Sequence, residues 1–140
     1  MATNTFIKFD GIPGESTHRD HKDAIDVIAW AWGLTVARSE GSTRRRGTAQ
    51  PQALSFVHAY DKASPRLTRA AVLGSHLRTV LLSSRQSGSA RNDFLTFTLS
   101  DVTVTSVQAH DDGAGPMEEV ALSYREISMA YVPQNADGSA

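Results

Sequence analysis

Two breaks of phase in the last third of the chain limit its architecture most tightly. Leu95, Phe97 and Leu99 alternate with Thr96 and Thr98, the period-two pattern of a half-buried strand. The apolar set then moves to even positions at Val102 and Val104, and a second slip separates Leu122 and Tyr124 from Ile127, Met129 and Tyr131. Period two does not survive a one-residue shift without a bulge or a corner. Long strands that slip twice imply a sheet that bends hard, as in a small barrel or an orthogonal sandwich.

One segment has the period of a helix. In Ser64-Pro65-Arg66-Leu67-Thr68-Arg69-Ala70-Ala71-Val72-Leu73-Gly74, Ser64 is expected as the N-cap, Pro65 at N1 and Gly74 as the left-handed residue past the end. Leu67, Ala70, Ala71 and Leu77 share a narrow face, so the helix is expected as a strut on an otherwise β domain. Before it, strands are expected at Thr5–Phe9, at Ile25–Trp32 and at Leu54–Tyr60; after it, at Thr79–Ser84. The second carries Ile25, Val27, Ala29 and Ala31 on one face and Ile28, Trp30 and Trp32 on the other. A strand apolar on both faces must be covered on both, by its own fold or by another chain. Residues 39–50 read as a long loop and 133–140 as a flexible tail.

At 140 residues the chain is long enough for a single domain, expected over 1–140. It has no cysteine, which removes disulfides, thiolate metal sites and a Cys nucleophile. The start, Met1-Ala2-Thr3-Asn4-Thr5, lacks the basic and apolar regions of a secretory signal, and no apolar run reaches the length of a membrane span. No membrane insertion is expected. The net charge of −1 hides an asymmetry: residues 1–35, 36–91 and 92–140 carry −2, +8 and −7. Either basic and acidic strands neutralise one another within one sheet, or opposite faces of the molecule attract further copies of it.

Motifs for chemistry are weak. There is no G-x-S-x-G elbow, and Gly41-Ser-Thr-Arg-Arg-Arg-Gly47-Thr48 has neither the glycine spacing nor the Lys of a phosphate loop. His18-Arg19-Asp20-His21 could offer three metal ligands, but no firm fourth follows, and no carboxylate pair sits beside an apolar pocket. No catalytic residue, metal or cofactor is therefore expected. Arg44, Arg45 and Arg46 suit a solvated loop tip, an acidic protein partner or nucleic acid; no aromatic platform stands beside them in the loop. Arg66 and Arg69 face the positive end of the helix dipole, so acids from 92–140 of the same or a neighbouring subunit are expected to compensate them.

Taken in order, Ile7-Lys-Phe-Asp-Gly-Ile-Pro-Gly-Glu-Ser16, His21-Lys-Asp-Ala-Ile-Asp-Val-Ile-Ala-Trp-Ala-Trp-Gly33, Tyr60-Asp-Lys-Ala-Ser-Pro65, Leu95-Thr-Phe-Thr-Leu-Ser-Asp-Val-Thr-Val-Thr-Ser106, Glu119-Val-Ala-Leu-Ser-Tyr124 and Tyr131-Val-Pro-Gln134 resemble the haemolysin-coregulated protein (Hcp) family, tube subunits of the bacterial type VI secretion system. The resemblance implies a small closed β-barrel of two packed antiparallel sheets with one flanking helix over about 64–74. It also implies hexameric rings stacked into a hollow tube, with a contractile sheath, a VgrG-type spike protein and effector cargo as partners. Synthesis in the cytoplasm and export without a signal peptide go with it. Residues 39–50 occupy the place of the family's extended loop, whereas Ala29 and Ala31 stand where many members carry serine. Interfaces between subunits are expected at Trp30, Trp32, Arg44, Arg45, Arg46, Arg66 and Arg69. A barrel that binds single-stranded nucleic acid through Arg44–Arg46 and the helix arginines is the alternative; the resemblance itself implies no nucleic acid.

Overall fold

The computed structural model describes residues 3–37, 48–87 and 92–133. The strands are β1 (Thr3–Phe9), β2 (Ile25–Val27), β3 (Ala29–Ala31), β4 (Leu34–Ala37), β5 (Thr48–Pro51), β6 (Leu54–Ala59), β7 (Leu77–Gln86), β8 (Leu95–Asp111) and β9 (Pro116–Tyr131). The helix α1 (Ser64–Leu73) lies between β6 and β7.

Seven strands form one antiparallel sheet in the order β2-β1-β7-β8-β9-β6-β3. Its two outermost strands are consecutive in the chain, separated by Ile28 alone, whose N–H donates to the Val57 carbonyl at 2.8 Å. One extended segment thus pairs first with β1 and then with β6, and the sheet rolls into a nearly closed barrel. The expected small closed barrel with one flanking helix is what forms, with β4 and β5 as a small second sheet. The long β8–β9 hairpin serves both sides of the barrel: the first half of β8 pairs with β7, and the first half of β9 pairs with β6.

The phase slips belong to a single corner. Leu99 stands opposite Val80 on one side and Ile127 on the other, and Val102 opposite Leu77 and Tyr124. All of these except the half-buried Leu77, Tyr124 and Ile127 are fully buried, and those three pack on the same core. The inward set therefore skips the same row on three adjacent strands, at Arg78–Thr79, Ser100–Asp101 and Arg125–Glu126. Asp101 takes a positive φ of 52° there, which turns the pleat over. A separate register shift lies between Val104 and Ser106 on β8.

The core joins Ile7 and Phe9 of β1 to Leu54 and Phe56 of β6, Val80 and Leu82 of β7, Phe97, Leu99, Val102 and Val104 of β8, and Val120 and Leu122 of β9. Leu67 and Ala70 of α1 complete it, and the helix packs on β8. The helix start differs from expectation. Ser64 is not the cap: its Oγ accepts a hydrogen bond from the Asp61 N–H (3.1 Å), while Asp61 Oδ1 accepts from the Ala63 N–H (2.9 Å). The N-cap is Ala63, which has no side chain to cap with, and the two bonds fix the turn that leads into the helix, with the Asp61 carboxylate near the positive end of the dipole. The far end is as expected. Gly74 has φ 63°, its N–H reaches the Ala71 carbonyl, and the Ser75 N–H reaches that of Ala70.

The loop expected over 39–50 is shorter at its end, because Thr48, Ala49 and Gln50 pair with Ala37, Val36 and Thr35. Residues 38–47 lie outside the described residues, as do 134–140 of the expected tail.

Candidate assembly surface

The segment from Ile25 to Ala37 changes face as it crosses from β1 to β6. Ile25 is buried and Val27 half-buried; after Ile28 the inward positions become Trp30 and Trp32. Both indoles meet Phe97 edge-on, with centroids 5.2 and 5.8 Å away. The Trp32 Nε1–H donates to the Tyr124 hydroxyl at 2.6 Å, and that hydroxyl donates to the Gln52 carbonyl at 2.6 Å. The two tryptophans thus serve the barrel's own packing with most of their rings. What the segment turns outward is Ile28, 59% exposed, with Ala29 and Ala31, and beyond them Leu34 and Val36, 50% and 56% exposed. The strand apolar on both faces is covered by its own fold on one face only.

A second uncovered surface lies on α1. Helical spacing puts Arg66, Arg69, Val72 and Leu73 on the side away from Leu67 and Ala70. All four are exposed, Val72 at 80% and Leu73 at 62%. Among the described residues neither arginine forms an ion pair, so the acids of 92–140 do not compensate them within the chain. Arg44, Arg45 and Arg46 fall outside the described residues.

Two polar clusters were not foreseen. In one, the buried Arg85 of β7 donates from Nε to Asp93 Oδ1 and from Nη1 to Asp20 Oδ2, each at 2.9 Å. His21, stacked on Phe6 with centroids 4.4 Å apart, lies 3.0 Å from Asp93 and 3.2 Å from Arg85 Nη2. Two members of the His18–His21 run, Asp20 and His21, are thus engaged with a structural arginine, and no group of three or more metal-ligating side chains forms among the described residues. The hydrogen bond from Arg85 lowers the Asp20 pKa below the usual carboxylate value. Burial works against the Arg85 charge, but the hydrogen bonds to Asp93 and Asp20 outweigh it and raise its pKa.

In the other cluster, His58 of β6 and Glu118 of β9 stand opposite one another, both wholly buried, with Nε2 and Oε1 2.8 Å apart. His58 Nδ1 and Glu118 Oε2 have no hydrogen-bond partner; the nearest charge to the former is Asp61 Oδ1 at 3.8 Å. In sequence the only signal is a charged or polar residue at an inward position, such as Glu118 two before Val120. Nothing in this arrangement presents a nucleophile to an open cleft.

A family described as "Type VI secretion system effector, Hcp" matches residues 6–131. The chain is 35% identical to Protein hcp1 of Pseudomonas aeruginosa, over 99% of this chain and 89% of that protein. A solved structure described as that of a type six secretion system protein superposes with a TM-score of 0.90 at 31% identity, covering 99% of this chain and 89% of the other. A type VI secretion system effector from Yersinia pestis gives 0.80 at 32% identity, covering 94% and 92%.

Proposed function

The chain belongs to the Hcp family of type VI secretion proteins, and we propose that it works as a structural tube subunit of that system. Hcp is a structural and secreted family, not a known enzyme family, and no helix among the described residues is long and apolar enough to cross a membrane. The proposed assembly is a ring of six copies. Rings stack into a hollow tube that a contractile sheath drives outward behind a VgrG-type spike, with effectors carried in the lumen. Synthesis in the cytoplasm precedes export by that route.

The observation that carries this reading is the outward face of residues 28–36. A single chain leaves Ile28 59% exposed beside two alanines on the segment that closes its own barrel, and Leu34 and Val36 50% and 56% exposed on β4 just after it. Large apolar side chains left exposed along one short segment mark a protein contact. A head-to-tail contact between copies uses two different patches and closes into a ring when its rotation permits.

Size-exclusion chromatography with light scattering tests the proposal, together with negative-stain images of the peak. A mass six times that of the chain and annular particles are expected. An Ile28→Asp variant that keeps its circular dichroism spectrum should fall toward monomer. A strict monomer at high concentration of the wild-type protein would overturn the reading.

A further inference from the structure

We infer that the outward face of α1 docks on the acidic turn between β8 and β9 of a second copy. This rests on the assembly reading above and names one of its contacts.

The helix offers two guanidinium groups, Arg66 and Arg69, beside the exposed Val72 and Leu73. No acid of the same chain, among the described residues, comes within ion-pair distance of either arginine. Arg66 lies in the first turn of the helix, where its charge adds to the positive end of the dipole, and Arg69 follows one turn later. An anionic partner is the chemistry that relieves them.

That partner's complement is on the same chain. The end of β8 and the turn after it carry Asp111 and Asp112, both exposed and without an ion pair among the described residues. Their carboxylates are held in place by the turn itself. Asp111 Oδ1 accepts the N–H groups of Gly113 and Gly115, and Asp112 Oδ1 accepts that of Ala114. Each keeps its second oxygen for a neighbour. Ala114 and Pro116, exposed at the same tip, supply small apolar surface that can cover Val72 and Leu73. The wider charge pattern agrees, since residues 36–91 carry +8 and residues 92–140 carry −7. Complementary patches on one chain favour its own copies over a partner of either single sign.

The test is a charge swap. Arg66→Glu/Arg69→Glu and Asp111→Lys/Asp112→Lys are made separately, and self-association is measured by light scattering and sedimentation at low and high salt. Each variant alone should associate about tenfold more weakly, and an equimolar mixture should recover association. The wild-type contact should weaken as salt rises. Because lysine at 111 and 112 removes the turn's acceptors, Asp111→Asn/Asp112→Asn, which keeps an oxygen for the backbone, must also weaken association. Wild-type-like assembly of the arginine variant or of the asparagine variant overturns the contact, as does loss in both charge-reversed variants without recovery on mixing. In those cases assembly itself stands. A wild-type protein that stays monomeric overturns the contact and the assembly reading together.

Discussion

His58 and Glu118 face each other across the β6–β9 ladder, joined by a hydrogen bond of 2.8 Å and wholly shut off from solvent. The pair sits where β6 leaves the barrel for the helix: His58 Nδ1 is 3.8 Å from Asp61, whose carboxylate holds the turn into α1. Two of its polar atoms lack a hydrogen bond, which makes it costly to disturb on one side only.

Removing one partner strands the other in the core. Glu118→Leu should cost about 3 kcal/mol of stability, measured by urea denaturation. The double variant His58→Phe/Glu118→Leu, which leaves no orphaned polar group, should be more stable than the single one. A double variant less stable than Glu118→Leu would show that the pair contributes net stability.

The Asp61 carboxylate ahead of the helix gives a second expectation. Asp61→Ala removes the acceptor for the Ala63 N–H and the anion at the helix start, so it should destabilise by about 1 kcal/mol. Thermal unfolding followed by circular dichroism reads this as a lowered midpoint. An unchanged midpoint would remove Asp61 from the role.

How far the sequence predicts the fold depends on how local each cause is. The helix was legible because Pro65, the Leu67–Ala70 spacing and Gly74 act within one segment. Its cap was misread because a serine before a proline looks like a cap, whereas the Ser64 hydroxyl turns back to Asp61. The slips at Val102 and Ile127 were legible as a bend. That they form one corner was not, since the pairing of Leu99 with Val80 and Ile127 is set by the barrel. The face change at Ile28 was hidden because both sides of that strand are apolar. Arg85 gave no signal, because its partner Asp20 is 65 residues away and joins it only through the fold. For the candidate assembly surface, the strand and the helix were legible as segments; Trp30 and Trp32 turn mostly inward, and Ile28 and Val36 take exposed places.

The Arg85 cluster makes stability depend on acid. The Asp20 pKa is lowered in the folded chain from an ordinary value of 3.8, chiefly by its hydrogen bond from Arg85. Between the two values the unfolded chain binds more protons, so the contribution is complete above the ordinary value and is lost as pH falls through the folded one. Urea midpoints of wild type and Asp20→Asn should therefore differ at pH 6 and converge as the pH drops below about 4. A gap that stays constant with pH would dismiss the ion pair. Arg85→Lys should fail to restore the site, because an ammonium cannot reach Asp20 and Asp93 with the fork of a guanidinium.

The corner at Asp101 separates backbone from side-chain effects. Its φ of 52° is a conformation that β-branched residues resist and glycine adopts freely. Its carboxylate lies 2.6 Å from His76 Nδ1, but both side chains are substantially exposed, so that ion pair adds little. Asp101→Gly should therefore change stability by no more than about 0.5 kcal/mol, whereas Asp101→Val should cost about 1–2 kcal/mol. Denaturation of the two variants in parallel decides the matter. If valine were tolerated as well as glycine, the pleat would turn over elsewhere in the row that Arg78 and Arg125 share with Asp101. If glycine were as damaging as valine, the contact with His76 would be what holds the corner.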